Sequence, residues 1–243
     1  EDGKPLLDKI LDVAGQKGTG KWSAIAAMDE NDPLTLITEA VYARLLSALY
    51  PERIKAASLY SGKLKVESGK LSDNAQLSIE DVRQALYAAK LISYAQGFSL
   101  LRHASEHYGW DLDYGTIARI WRKGCIIRSV FLQKITEAYR KDPDLENLLF
   151  DDFFHTKIQE ALPAWRRVVA EGALSGVALP AMSSALNYFD GLRTLYSAAN
   201  MIQAQRDYFG AHTYERTDRE RGHFFHTNWT GEGGNTVSGT YSV

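Results

Sequence analysis

Residues 15–22 read Gly15-Gln16-Lys17-Gly18-Thr19-Gly20-Lys21-Trp22, and this is where residue types and spacing point most directly to chemistry. Glycine tolerates positive φ and carries no Cβ, so successive backbone N–H groups can turn toward one oxygen-rich ligand. Lys17 and Lys21 add positive charge and the Thr19 hydroxyl a short donor, which makes the stretch a candidate phosphate site. A plain polar loop between helices is the alternative. Gly15, Gly20 and Lys21 also satisfy G-x-x-x-x-G-K. Trp22, however, stands where a nucleotide P-loop needs Ser or Thr for magnesium, and Ser23 comes one residue late. Ile10–Ala14 can pass for the strand before such a loop, yet no βαβ alternation follows. A nucleotide phosphohydrolase is kept as a rival for experiment to remove.

Other groups carry less. Arg44 lies three residues from Val41 on a helical stripe, where a solvated or salt-bridged arginine is the bland expectation. Arg206 sits at a helix end and His212 just beyond a stop at Gly210, giving a fixed cation and a titratable group close in sequence. The bland alternative there is a helix C-terminus stabilised by its basic residue. Arg119, Arg122, Lys123 and Arg128 interleave with Trp121 and Ile126-Ile127, and helix-end charge explains them better than nucleic acid. His223-x-x-His226 lacks the Cys or carboxylate partners of a tetrahedral site, so no metal is expected. Cys125, after Gly124, reads as a buried packing residue. Asn228-Trp229-Thr230 is a glycosylation sequon expected to be unused.

The elements that must position these groups are helical almost throughout. Residues 4–14 read as the end of a helix running into the glycine loop. Asp32-Pro33 reads as an N-cap and first helical proline, followed by the stripe Leu34, Ile37, Val41, Leu45, Leu46, Leu49 up to a break at Pro51. Ser61 to Gln76 is a polar loop. Ser78-Ile79-Glu80-Asp81 resembles a capping box opening the longest helix, to about His107, apolar on several sides and therefore central. Tyr114–Trp121, Cys125–Tyr139, Leu145–Phe150 and Phe153–Glu171 are further helices, the last kinked at Pro163, and Pro180 opens one that runs to about Tyr208. The expected division is a helical domain over 1–210 and an extended tail over 211–243. That tail is rich in glycine and aromatics, is either disordered or ordered by a partner surface, and has a weak strand character only at Val237–Val243.

A net charge of −2 argues against a whole-surface nucleic-acid binder, and no apolar run reaches the ~18–20 residues of a membrane span. A single cysteine excludes an internal disulfide framework and suits a reducing, cytoplasmic setting. Glu1 follows no initiator Met, so a fragment or a processed start is expected.

Five stretches in order carry a family resemblance. They are Ile10-Leu11-Asp12 into Ala14–Trp22, Tyr94-Ala95-Gln96-Gly97-Phe98, Cys125-Ile126-Ile127-Arg128-Ser129, Ala204–His212 and Phe225-His226-Thr227-Asn228-Trp229. Through them the chain resembles, nearly end to end, the C-terminal all-α domain of the 6-phosphogluconate dehydrogenase family. The resemblance implies NADP-linked oxidative decarboxylation of 6-phosphogluconate to ribulose 5-phosphate and CO2. It implies that Lys17, Thr19 and Arg44 hold the substrate phosphate, and that Arg206 and His212 are donated by the partner subunit of a homodimer whose tails are exchanged. No G-x-G-x-x-G fingerprint is present, and the family's acid/base lysine and glutamate lie upstream of residue 1. The chain is thus expected to contain no catalytic residue, to be inactive alone, and to present a truncated helical pseudo-repeat with an exposed apolar groove. No residue is assigned to the cofactor. A non-catalytic helical assembly module is the alternative.

Overall fold

The computed structural model describes residues 3, 5–60, 77–122, 127 and 129–231, and the chain divides into two compact units, Glu1–Asp190 and Gly191–Val243. The polar loop over 61–76, the packing of Cys125, the cations Lys123 and Arg128, and the end Val237–Val243 lie outside the described residues.

The first unit is organised around α4 (Ile79–Tyr108). Its start is the expected capping box: the Ser78 hydroxyl accepts the Asp81 amide at 3.0 Å, and the Asp81 carboxylate accepts the Ser78 amide at 2.9 Å. Its end is Gly109, left-handed at φ 65°. Ala85, Ala88, Ala89 and Ala95 are buried beside Leu91, Ile92 and Phe98, so the helix is covered on more than one side and small residues admit close neighbours. Along it packs α7 (Asp152–Leu174), which runs on through Pro163 and turns Phe154, Ile158, Ala161, Trp165 and Val168 inward at helical spacing. Trp165 is wholly buried, and its indole N–H donates to the Met182 carbonyl of α8 (Pro180–Leu192) at 3.2 Å, satisfying the one polar atom that burial would orphan. Between α4 and α7 in sequence come α5 (Tyr114–Ile120) and α6 (Leu132–Lys141), held close where Gly115 lets the Thr136 hydroxyl reach its carbonyl at 3.2 Å.

Three helices precede α4 in the same unit: α1 (Thr19–Asp29), α2 (Thr35–Ala48) and α3 (Tyr50–Tyr60). Pro51 sits in the first turn of α3, where its missing N–H costs nothing. Asp32 does not cap α2. Its carboxylate is buried and accepts the Ser99 hydroxyl at 2.7 Å and His103 Nδ1 at 2.8 Å, both from α4. The cap comes instead from α4: buried Gln96 accepts the Leu36 amide at 3.1 Å and donates to the Thr35 hydroxyl at 2.8 Å. This contact explains the polar residue within Tyr94–Phe98. It satisfies an N-terminal amide of α2 and fixes that helix on α4.

Helix boundaries depart from expectation elsewhere. Among the described residues of 4–14 there is only a 3-10 turn, Leu6–Lys9, before the backbone extends at Ile10. A short exposed segment with no buried residue gains no tertiary support for a longer helix. α6 begins at Leu132 rather than near Cys125, and the Ile127 carbonyl before it accepts the Tyr94 hydroxyl of α4. Leu145–Phe150 shrinks to the 3-10 turn Leu148–Phe150, opened by the Asn147 side chain on the Leu149 amide. The helix expected over 180–208 is broken between Leu192 and Ala199. There the Thr194 amide turns back to the Gly191 carbonyl at 3.2 Å, and Ser197 Oγ accepts the Ala199 amide at 3.3 Å.

The second unit is α9 (Ala199–Gly210) with a short antiparallel pair, β1 (Tyr214–Glu215) and β2 (Phe224–Phe225), in the register Tyr214 to Phe225 and Glu215 to Phe224. Its anchor is Asp207. The buried carboxylate accepts His226 Nδ1 at 2.9 Å, the Thr227 amide at 2.9 Å and the Trp229 indole N–H at 2.8 Å. Through residue 231 the aromatic tail therefore has structure of its own, ordered on α9 by a buried acid.

Candidate functional site

The glycine loop becomes the N-terminus of a helix. α1 starts at Thr19, and Gly18 occupies the N-cap at φ 102°, a conformation that L side chains rarely adopt. The first N–H bonded within the helix is that of Trp22, to the Gly18 carbonyl at 2.9 Å. The amides of Thr19, Gly20 and Lys21 are thus among the orphan donors of a helix start, where the dipole is also positive. Lys17 lies just before this terminus, and the Thr19 hydroxyl is carried on its first residue. Both are exposed to solvent. Lys21, one turn in, lines a cleft of about 410 Å³ between α1 and α2 with Gln16, Ile25, Thr38, Val41 and Tyr42.

Two close approaches bring α2 against this terminus. A Cβ on Gly20 would lie 2.9 Å from a Val41 methyl, so the third glycine of the loop lets α1 sit directly on α2. One turn beyond Val41, the Arg44 guanidinium donates to the Gly15 carbonyl. The structure therefore places Lys17, Thr19 and Arg44 in one unit, with Lys17 and Thr19 flanking the helix N-cap at Gly18 and Arg44 of α2 bonded to the loop at Gly15. Such a terminus is suited to an oxyanion carrying two charges.

The backbone leading into the loop is extended, and among the described residues it pairs with no strand. The strand that a P-loop would require is absent from Ile10–Ala14. This path is held by side chains from α2 and α3. Ser47 Oγ accepts the Ala14 amide at 2.9 Å, and Arg53 donates to the Asp12 carbonyl at 3.1 Å and to the Asp12 carboxylate. The Arg53 hydrogen bond holds the Asp12 carboxyl below its ordinary range. Neither Ser47 nor Arg53 stood out in the sequence. The one available signal was that Ser47 falls three residues after Arg44, on the same side of a helix.

Arg206 and His212 belong to the second unit. Arg206, half-buried on α9, donates to Gln203 Oε1 at 2.7 Å. The left-handed residue that ends α9 is Ala211, at φ 51°, and not the glycine before it. Gly210 has a different use. A Cβ there would lie 2.9 Å from His212 Nε2, so the imidazole rests over the space a side chain would fill. Of the basic cluster, Arg122 is bonded to Gln133 and Arg119 stands in the last turn of α5, both accounted for by local structure. His226 of the paired histidines is bound to Asp207.

The family model described as 6-phosphogluconate dehydrogenase, C-terminal domain, matches residues 1–229. A decarboxylating 6-phosphogluconate dehydrogenase of Treponema pallidum is 53% identical over 244 residues, covering 100% of this chain and 50% of that protein. One from Rattus norvegicus is 54% identical over 242 residues, covering 100% and 49%. Among solved structures, the Plasmodium falciparum enzyme, described in its apo form and in complex with its cofactor NADP+ and its substrate 6-phosphogluconate, aligns with a TM-score of 0.84. It is 42% identical, over 92% of this chain and 47% of that one. The chain spans about half the length of the curated relatives it matches.

Proposed function

Because the chain belongs to the 6-phosphogluconate dehydrogenase family, as its C-terminal domain, we propose that it binds the phosphate of 6-phosphogluconate in a protein that oxidatively decarboxylates this substrate with NADP. The products are ribulose 5-phosphate and CO2, and the setting is cytoplasmic. No helix among the described residues is long and apolar enough to cross a membrane.

The observation that carries this is the N-terminus of α1, with Gly18 left-handed, Lys17 and Thr19 at the opening, and Arg44 drawn to the loop by the Gly15 carbonyl. Charge-assisted hydrogen bonds of this kind contribute roughly 1.5–3 kcal/mol each, so two cations, a hydroxyl and helix amides suffice to anchor a dianionic phosphate. Arg206 and His212 add a cation and an imidazole, contributed to the site by the second subunit of a homodimer with exchanged tails. The chain's part is to fix one end of the substrate, so that its reacting carbons are presented to groups elsewhere in the protein. A dinucleotide needs a parallel βαβ crevice, whereas the only strands among the described residues are two-residue antiparallel ones. No residue of this chain is assigned to NADP.

The exposed apolar residues on α1–α3 favour a second reading, a purely structural assembly module, and ligand binding separates the two. Thermal melting of this chain with 6-phosphogluconate, with gluconate and with ATP plus magnesium makes the test. Stabilisation by the phosphorylated sugar alone is expected, worth about 2.7 kcal/mol at a hundred times Kd. Stabilisation by ATP plus magnesium would restore the P-loop, and indifference to all three would leave the assembly reading.

A further inference from the structure

The segment Ile10–Gly18 contains no helix or strand, and most of it is exposed, so its path depends on what ties it down. Ties fall on three of the four residues from Asp12 to Gly15. Arg53 holds the Asp12 carbonyl and carboxylate, Ser47 the Ala14 amide and Arg44 the Gly15 carbonyl. Ser47 is the shared node. Its hydroxyl accepts from Ala14 at 2.9 Å and donates to the Arg44 carbonyl at 2.7 Å, while its own carbonyl accepts from Arg53 at 3.1 Å. That last bond also satisfies a C-terminal carbonyl of α2, across the break at Leu49 where α3 begins.

We infer that Ser47 and Arg53 are positioning residues for the phosphate site, bracing residues 12–15 so that the glycine loop is held against Arg44 before any ligand arrives. Neither touches the anion. This rests on the phosphate reading above and adds to it the groups that preorganise the loop. Without the Ser47 hydroxyl the Ala14 amide loses its acceptor, and the loop occupies its competent path only part of the time. Apparent affinity then falls by that fraction. The chemistry, which lies elsewhere, is not altered once substrate is bound.

The test uses the full-length dehydrogenase that carries this chain, with the variants Ser47→Ala, Ser47→Thr, Arg53→Lys and Lys17→Ala. Ser47→Ala is expected to raise KM for 6-phosphogluconate on the order of tenfold, with kcat and KM for NADP changed by less than about twofold. Ser47→Thr restores the hydroxyl and should restore KM. Arg53→Lys keeps the charge but offers one nitrogen where the guanidinium uses two, Nη1 on the Asp12 and Ser47 carbonyls and Nη2 on the Asp12 carboxylate, and should raise KM in the same selective way. If Ser47→Ala leaves KM unchanged while Lys17→Ala raises it, the brace is wrong and the phosphate site stands. An unchanged KM in Lys17→Ala removes the phosphate site and the brace together. Equal losses in kcat and in both KM values for Ser47→Ala and Arg53→Lys would show a general structural role and overturn the inference.

Discussion

At the scale of single residues, the second unit turns on one acid. Burial pushes the Asp207 carboxyl up, and the Thr227 amide, the His226 imidazole and the Trp229 indole together more than reverse it, so the group sits below its ordinary value. Three donors from the tail thus converge on one helix residue. Replacing Asp207 with Ala removes the shared acceptor of three donors on partly exposed residues, and the expected cost is about 2 kcal/mol to the ordering of residues 224–229. Hydrogen exchange at the Thr227 amide reads this directly: protection should be lost in the variant, and retained protection would show that the tail is held by its aromatics instead. A depressed pKa means that the stabilisation is present above the ordinary aspartate range and is lost as pH falls through the lower folded value. The tail should therefore loosen in acid before α9 melts. Nothing in the sequence marked Asp207 as more than one residue of a conspicuous motif, because its partners lie 19 to 22 positions away.

At the scale of elements, α4 shows what local sequence can and cannot specify. Its capping box is local, and Ser-x-x-Asp announces it. Asp81 is held down to about 2, first by the Ser78 hydroxyl, then by the Ser78 amide and by Arg167 of α7. Ser78→Ala should lower unfolding free energy by about 1 kcal/mol. Because the folded pKa lies below the ordinary 3.8, the contribution of Asp81 is complete above that value and fades as pH falls toward 2. Urea midpoints of the native chain and of Asp81→Asn should therefore differ most near neutral pH and converge in acid. A gap that does not narrow would refute the ionic part of the cap. The start of α2 is the contrasting case. Its cap is Gln96, 60 residues away, and the residue that looked like a cap, Asp32, is committed to Ser99 and His103. The same contrast runs through the site. Gly18, Thr19 and Lys17 were legible as a candidate anion loop because glycines and cations are neighbours there, whereas the helix that opens at Thr19 was not expected. The brace through Ser47 and Arg53 was not legible, since it joins segments 33 and 41 residues apart. The family resemblance supplied Arg44 as a candidate, which helical spacing alone left as an ordinary surface arginine.

At the scale of the whole molecule, the first three helices pose a problem of surface. α3 buries no residue and α2 buries only Val41, while Met28, Trp22 and Leu46 are 69%, 65% and 61% exposed. Ile25, Met28, Tyr42 and Leu45 line one cleft between α1 and α2, so part of this apolar surface is continuous. A stable monomer rarely leaves patches beyond a few hundred Å² in water, so a covering is expected in the complete protein. The chain spans about half the length of its relatives, and the homodimer proposed above is one source of such a cover. The isolated chain should then associate with itself as concentration rises through the micromolar range, and it should bind a hydrophobic dye. The full-length protein should be a defined dimer that binds little dye. Sedimentation velocity across a dilution series distinguishes these states. Met28→Glu with Leu46→Glu should suppress association of the isolated chain with a change of only about 0.5 kcal/mol per site in stability, because both side chains are already exposed. An isolated chain that stays monomeric and dark to the dye at every concentration would mean that α1–α3 need no partner. The proposed homodimer would then have to be built from other surfaces.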